Sequence, residues 1–181
     1  MNFIETYDDA LSSEDCDKLI EYLNNSPNGE GMVGGGKLDP NQKKSIELDN
    51  TLFSLHPLAY QLIIPTINEC TNKYVEKYTP LQHMGKWGIE DEFTLMKFEG
   101  EDGGYKVWHT EHGIKNPYRI LVWMFYLNDA LSGTEFFHHP NIESKKGRLV
   151  IWPAGWTHYH KGETPNKGLK YIMSGWYSLQ Q

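Results

Sequence analysis

From about residue 92 onward, short runs of β-forming residues alternate with Gly, Pro and Asn turns. Short strands separated by such turns are typical of an antiparallel sandwich or jelly roll. The run from Arg119 to Leu127 is apolar at both alternating sets of positions, which predicts a central strand covered on both faces. We predict strands over the ranges 93–98, 105–111, 118–127, 134–138, 147–152, 157–161 and 170–179.

The region before residue 92 is predicted to be mainly helical. Ser12 and Asp15 have the spacing of a capping box, and an apolar stripe follows as far as the Asn-Asn-Ser-Pro stop at 24–27. A second helical stretch is predicted from about Thr51 to Tyr78, with a break or kink at its prolines, Pro57 and Pro65. Helices followed by strands indicate an α+β fold, with residues 1–91 supporting a β-rich core at 92–181.

Residues 28–48 are predicted to be a loop. The segment is rich in glycine and charged residues, and we interpret it as a surface excursion or, alternatively, a lid. It is not a phosphate-binding loop, because it lacks the G-K-[ST] signature and a following helical pattern. Its glycines are Gly29, Gly31, Gly34, Gly35 and Gly36.

Bulk composition excludes several classes of protein. The 181 residues suit a single domain, and 39% hydrophobic and 23% charged residues are ordinary for a globular chain. A net charge of −7 disfavours nucleic acid as a partner, and the sequence shows neither a signal peptide nor a membrane span. The two unpatterned cysteines, Cys16 and Cys70, are interpreted as buried, reduced thiols of a cytoplasmic protein.

Three residues in the β-rich region suggest a metal centre. His109 and Glu111 are two positions apart, so on an extended chain both side chains leave the same face. H-x-E alone is weak evidence, because an exposed pair of this kind is often only solvated. His160, arriving from another strand, would complete a set of two imidazoles and one carboxylate, which suits non-haem Fe(II) and leaves coordination positions open.

At these motifs the chain resembles the 2-oxoglutarate/Fe(II) oxygenases of the prolyl 4-hydroxylase-like family. The family pattern is H-x-D, a strand ending Tyr-Leu-Asn-Asp, Gly-x-T-x-F, a Lys-Gly turn, and H-x-G-x-x-P with a basic residue ten positions after the histidine. The corresponding stretches here are His109–Glu111, Tyr126–Asp129, Gly133–Phe136, Lys146–Gly147 and His160–Pro165 with Lys170. The N-terminal segment 3–20 also resembles the first strand and helix of the family.

This resemblance implies a double-stranded β-helix, a jelly-roll or cupin-like barrel with the N-terminal helices packed on one sheet. It implies Fe(II), 2-oxoglutarate and dioxygen as cofactors, with ascorbate as a candidate reductant. His109, Glu111 and His160 would be the metal-binding catalytic residues, and Lys170 would bind the 2-oxoglutarate 5-carboxylate. The implied reaction is hydroxylation, most typically of prolyl residues in a peptide or protein, with release of succinate and carbon dioxide.

Two positions depart from the family pattern. The carboxylate is Glu111 where the family usually has Asp, and the extra methylene could alter denticity or metal choice. The family often has a tyrosine that hydrogen-bonds the 5-carboxylate, and the nearest equivalent here is Phe98, which has no hydroxyl. Tyr105, Thr94 or another hydroxyl could replace it.

Other functional interpretations remain open. H-x-E sites also suit Zn, Mn or Ni, so the chain could be a cupin-like metalloprotein that is not an oxygenase, such as an isomerase or a binding module. It could also be an interaction protein with an inactive oxygenase fold. The substrate could be a small molecule instead of a peptide, and the sequence leaves the oligomeric state open.

Several polar and aromatic residues near the motifs have more than one interpretation. His158 rivals His160 as a ligand, although the H-x-G context and the spacing to Lys170 favour His160. Arg119 could reach substrate or form a plain salt bridge. The remaining residues are interpreted as surface or rim histidines (His112, His138 and His139) and core tryptophans (Trp123, Trp152 and Trp176).

Overall fold

The computed structural model of this chain describes residues 1–33, 36–164 and 166–180, without the side chains of residues 49–51. Gly34 and Gly35 of the glycine-rich segment, and Pro165 of the C-terminal motif, lie outside the described residues. Across the described ranges, no helix is both long enough and apolar enough to cross a membrane.

The described residues form two α-helices, three short 3₁₀ helices and eleven β-strands. The α-helices are α1 (Ser13–Asn25) and α2 (Pro57–Lys77), and the 3₁₀ helices are Phe53–Leu55, Thr79–His83 and Trp156–His158. The strands are β1 (Glu5–Tyr7), β2 (Gly29–Glu30), β3 (Lys43–Lys44), β4 (Ile46–Leu52), β5 (Trp87–Glu99), β6 (Gly104–Tyr105), β7 (Arg119–Tyr126), β8 (Thr134–Phe136), β9 (Leu149–Pro153), β10 (His160–Gly162) and β11 (Leu169–Leu179).

In the part of the chain that is described, seven strands form one antiparallel sheet in the order β1-β9-β7-β11-β5-β4-β2. Two smaller antiparallel pairs, β8–β10 and β3–β6, accompany it. The apolar side chains form two cores. One contains residues of the large sheet and both α-helices, and the other contains residues of the large sheet together with Phe136 of β8. The predicted α+β class is confirmed.

Strand β7 is the central strand that the sequence predicts. It lies between β9 and β11, and its alternate side chains are divided between the two cores. Burial of both faces explains why the segment is apolar throughout. The core that includes the helices takes Leu121, Trp123 and Phe125, and the opposite core takes Val122, Met124 and Tyr126.

Helix α1 forms as predicted. The Ser12 side chain accepts a hydrogen bond from the backbone N–H of Asp15 at 3.1 Å, which satisfies one of the unpaired donors of the first turn. The helix ends at Asn25, at the predicted stop. Cys16 of this helix and Cys70 of α2 are buried free thiols, as predicted. The cytoplasmic location inferred from them stays a prediction.

The predicted boundaries between residues 28 and 92 are wrong. The segment interpreted as a loop contains β2, β3 and the first three residues of β4, and β5 begins at Trp87. Residues 46–48 pair with residues 95–97 of β5, and this tertiary pairing decides their conformation. The second helix begins only at Pro57, because proline is well suited to the first helical turn.

Helix α2 is not broken at Pro65. It continues from Pro57 to Lys77, although an internal proline removes a backbone donor and costs about 3 kcal/mol. Ile63 and Ile67 on either side of the proline are fully buried, while Pro65 is exposed. Apolar packing of this kind stabilises a helix by more than its intrinsic propensity does.

In two ranges of the C-terminal half, less than half of the predicted strand forms. In the range 105–111 only Tyr105 belongs to a strand, β6. The end of this range is held instead by hydrogen bonds from the backbone N–H groups of Glu111 and His112 to the Ala154 carbonyl, at 3.1 and 3.0 Å. In the range 157–161 a 3₁₀ helix precedes β10. Strict alternation between His158 and His160 therefore does not hold. The interpretation of residues 1–181 as one domain stays a prediction.

Candidate metal centre

A local backbone pairing brings two distant histidines together. The N–H of His109 donates to the His160 carbonyl at 2.9 Å, and the N–H of His160 donates to the His109 carbonyl at 3.0 Å. The two ring centroids lie 4.4 Å apart. Strand β10 thus holds His160 beside a segment that is otherwise irregular.

Backbone carbonyls orient both imidazole rings. His109 Nδ1 lies 3.0 Å from the Val107 carbonyl oxygen, and His160 Nδ1 lies 2.9 Å from the His158 carbonyl oxygen. A carbonyl only accepts, so each Nδ1 must carry the proton and each Nε2 keeps a free lone pair. Such hydrogen bonds set the tautomer of metal-binding histidines in other proteins.

The carboxylate of Glu111 completes the cluster. Its Oε1 lies 3.4 Å from His109 Nε2 and 3.8 Å from His160 Nε2, and one ligand atom from each residue lies within 4.8 Å of the others. Two ligands about 2.1 Å from one ion at right angles are about 3 Å apart, so little movement would bring these atoms around a metal. Two neutral imidazoles and one carboxylate fit Fe(II).

The protonation states suit a cation. Burial lowers the pKa of His160 to about 4, so the ring is neutral at pH 7 as a ligand must be. Burial alone would raise the pKa of Glu111, but the neighbouring rings of His109 and His160 and the Arg119 guanidinium outweigh it. They lower that pKa to about 2, so the carboxylate is ionised.

The cluster opens into a cavity of about 270 Å³ that also contains Lys170. Lys170, on β11, is 2% exposed, and its Nζ donates to the Gly133 carbonyl at 3.0 Å. The same Nζ lies 5.4 Å from the centroid of the Phe98 ring. Burial lowers the pKa of Lys170 to about 8, against a weaker opposing effect of Glu163. The lysine expected from the sequence is therefore a buried cavity residue and not a surface one.

Five residues with hydroxyl groups line the same cavity: Thr94, Tyr105, Thr110, Thr134 and Ser174. Thr94 and Tyr105 are the candidates considered from the sequence, and the Tyr105 ring stacks on His109 with centroids 3.9 Å apart. The Thr134 hydroxyl lies 2.6 Å from that of Tyr126. The Gly133–Phe136 motif contains Thr134, but its sequence gave no reason to assign the side chain a role.

His158 lies apart from the cluster. Its Nε2 is 2.7 Å from the Asn2 carbonyl and its Nδ1 is 2.9 Å from the Thr157 hydroxyl, so both ring nitrogens have protein partners. Its ring stacks on that of His139, which is half-buried. The structure thus places His160, not His158, with His109 and Glu111. His112 and His138 are exposed.

Two residues beside Glu111 were not recognised as part of the site. Arg119 is buried and forms the salt bridge considered from the sequence, with its Nη2 3.0 Å from Glu90 Oε2. Trp176 is buried like Trp123 and Trp152, yet it also lines the cavity and donates through Nε1 to Glu111 Oε2 at 3.0 Å. These contacts depend on how the sheet folds, and no sequence spacing signals them.

Comparison with known families gives the class of protein. Residues 93–178 match the model of the 2OG-Fe(II) oxygenase superfamily. This region is a 2OG-Fe(II) oxygenase domain, and the chain is an oxidoreductase of the dioxygenase type. Enzymes of this family use Fe(II), 2-oxoglutarate and dioxygen, in agreement with the candidate metal cluster within the matched region. The match favours the oxygenase over a cupin-like metalloprotein that is not an oxygenase.

Within that class the fold is the double-stranded β-helix of prolyl hydroxylases. A viral collagen prolyl hydroxylase from Paramecium Bursaria Chlorella virus-1, in complex with 2OG, has a TM-score of 0.71 and 19% identity, covering 98% of this chain and 97% of that one. A Pseudomonas putida prolyl-4-hydroxylase has a TM-score of 0.72 and 12% identity, covering 99% of this chain and 94% of that one.

A third similar structure is a Trichoplax adhaerens prolyl hydroxylase in complex with a peptide fragment of the hypoxia inducible factor oxygen degradation domain. Its TM-score is 0.71 and its identity 13%, covering 98% of this chain and 84% of that one. At these identities the likeness concerns the fold. The comparison with curated proteins found no match.

Proposed function

We propose that this dioxygenase hydroxylates prolyl residues in a peptide or protein, with His109, Glu111 and His160 binding iron and Lys170 binding 2-oxoglutarate. The observation that carries the proposal is the placement of these four side chains around one cavity. Bound Fe(II) and 2-oxoglutarate supply the oxidising chemistry, in which decarboxylation of the cosubstrate to succinate and carbon dioxide accompanies hydroxylation.

Charge balance supports the role of Lys170. Fe(II), the Glu111 carboxylate, dianionic 2-oxoglutarate and the Lys170 ammonium sum to formal neutrality. Buried charges are tolerated when they are compensated in this way. The ammonium already donates to the Gly133 carbonyl, so it is held at one place in the cavity before any cosubstrate arrives.

Two observations support a peptide or protein substrate. Two structural relatives are a collagen prolyl hydroxylase and a prolyl hydroxylase in complex with a peptide fragment. In this chain, a second cavity of about 370 Å³ shares Lys43 with the metal cavity and contains the exposed Pro40 and Lys44. Two neighbouring cavities suit an extended substrate better than a small one.

The role of Lys170 can be tested by calorimetry. Lys170→Met keeps most of the buried volume but removes the charge, and we expect 2-oxoglutarate binding to Mn(II)-loaded protein to weaken at least tenfold while Mn(II) still binds. Lys161→Met is the matched control, because Lys161 lines the same cavity but pairs with Glu135 at 3.4 Å. Equal 2-oxoglutarate affinity in the wild type and Lys170→Met would disprove the assignment.

The substrate class needs a separate experiment. Iron-loaded protein is incubated with 2-oxoglutarate and a panel of proline-containing peptides, with alanine-substituted peptides and free proline as controls. We expect succinate formation with concurrent addition of one oxygen atom to proline-containing peptides only, as read by mass spectrometry. Hydroxylation of free proline alone, or equal turnover of the alanine peptides, would contradict a peptidyl-prolyl substrate.

A further inference from the structure

The two oxygens of the Glu111 carboxylate have different surroundings. Oε1 points toward the Nε2 atoms of His109 and His160. Oε2 accepts a hydrogen bond from Trp176 Nε1 at 3.0 Å and lies 3.7 Å from Arg119 Nη1. The carboxylate therefore already has one oxygen directed toward the metal cluster and one held by the protein.

The groups that hold Oε2 are themselves fixed. The Arg119 guanidinium lies 3.5 Å from the centroid of the Trp176 ring, a close cation–π contact. Its Nε lies 3.2 Å from both Glu90 oxygens and its Nη2 lies 3.0 Å from Glu90 Oε2. The hydroxyl of Ser178 donates to the same Glu90 carboxylate. Charge-assisted contacts of this kind are strong and directional.

These residues come from three adjacent strands of the large sheet. Glu90 lies on β5, Arg119 on β7, and Trp176 and Ser178 on β11 between them. Glu111 is held at its own backbone, where its N–H donates to the Ala154 carbonyl at 3.1 Å. The distance from the Glu111 backbone to the indole N–H is thus set by the sheet.

We propose that Trp176 and Arg119, supported by Glu90, are positioning residues that restrain Oε2 and so present only Oε1 of Glu111 to the metal. The inference rests on the proposed metal centre. A carboxylate with both oxygens free can bind a cation through both, and would then occupy a position that 2-oxoglutarate needs. The restraint explains how the longer Glu serves where relatives have Asp.

The test is Trp176→Phe, which keeps a ring beneath Arg119 but removes the N–H. Outer hydrogen bonds to metal ligands are typically worth 10–100-fold in metal affinity, so we expect Mn(II) binding to weaken at least tenfold. We also expect a changed charge-transfer absorption of the anaerobic Fe(II)–2-oxoglutarate complex. The matched control is Trp87→Phe. Trp87 lies at the start of β5, and its substitution removes an indole hydrogen bond to the Leu81 carbonyl, so it should change neither the Mn(II) affinity nor the absorption.

Two further variants make the outcome decisive. Glu90→Gln leaves Trp176 intact but weakens the anchor of Arg119, and we expect a smaller loss of affinity in the same direction. Glu90→Gln carries the test if circular dichroism shows that Trp176→Phe does not fold.

His160→Ala tests the metal centre itself and should abolish metal binding. If His160→Ala still binds metal, the proposed metal centre is wrong. If His160→Ala loses metal while Trp176→Phe and Glu90→Gln bind Mn(II) and absorb like the wild type, only the positioning role is wrong.

Discussion

A backbone carbonyl two residues earlier orients each histidine of the cluster. Val107 does this for His109, and His158 does it for His160. His158 thus contributes its carbonyl to the cluster, while its own ring turns to the Asn2 carbonyl. The spacing to Lys170 was enough to favour His160, but the 3₁₀ turn that directs the His158 ring away leaves no pattern in the sequence.

His158 and His160 should respond differently to substitution. We expect His160→Gln to lose metal, because it removes a nitrogen ligand. We expect His158→Gln to keep metal but to unfold more easily, by about 1–2 kcal/mol, because buried hydrogen bonds are lost. Metal content after anaerobic Fe(II) loading, together with urea denaturation, distinguishes the two. Metal loss in His158→Gln with retention in His160→Gln would reverse the assignment.

Burial of Lys170 predicts that both the stability of the protein and its binding of the cosubstrate depend on pH. Its pKa is about 8 in the folded protein, below the ordinary value of 10.5, so the unfolded chain holds this proton more tightly. The contribution of Lys170 to stability therefore increases as pH rises from about 8 to 10.5 and is lost as pH falls through 8.

Binding of 2-oxoglutarate should show the opposite trend, since it requires the charged ammonium. We expect affinity for Mn(II)-loaded protein to be level below pH 8 and to fall above it, by at most about tenfold per pH unit. Calorimetry from pH 7 to 9 measures this, with Mn(II) affinity in the same buffers as the control. An affinity that is level up to pH 9 would argue against Lys170 as the carboxylate partner.

Among the elements, α2 shows where local signals mislead. Its proline at position 65 predicted a break or kink, yet the helix is not broken there, because Ile63 and Ile67 pack into the core on either side. In β4 the local signal is missing instead, because the strand forms by pairing with β5 and its own sequence does not indicate a strand. By contrast, the capping serine of α1 and the apolar run of β7 are strong local signals, and both elements formed as predicted.

Helix α2 therefore offers a stabilising substitution. Pro65 is exposed, so Pro65→Ala should restore a backbone donor and relieve the steric conflict without disturbing the core. We expect a gain of about 1–2 kcal/mol in the free energy of unfolding, reduced by the greater freedom of the unfolded chain. Urea denaturation measures the gain. Pro57→Ala, at the first helical position, is the control and should give no gain. A loss of stability in Pro65→Ala would contradict this account.

For the chain as a whole, predictability differs between its two halves. After residue 92 the motifs, the strand pattern and the family resemblance agree. The fold class is confirmed, and residues 93–178 match the 2OG-Fe(II) oxygenase superfamily. Before residue 92 the strands β2 to β4 depend on partners distant in sequence, so no local pattern identifies them. The contact of Glu111 with Trp176 was missed for the same reason, since the two residues are 65 positions apart.

The position of β11 has a consequence for folding during synthesis. This strand lies between β7 and β5, both of which leave the ribosome before it. Until β11 emerges, each of those strands has an unpaired edge, and exposed edges of this kind are prone to aggregate. Lys170 and Trp176 arrive on the same strand, so the sheet and the candidate site are completed by a single late event. A nascent chain interrupted before β11 is therefore expected to be a client for chaperones.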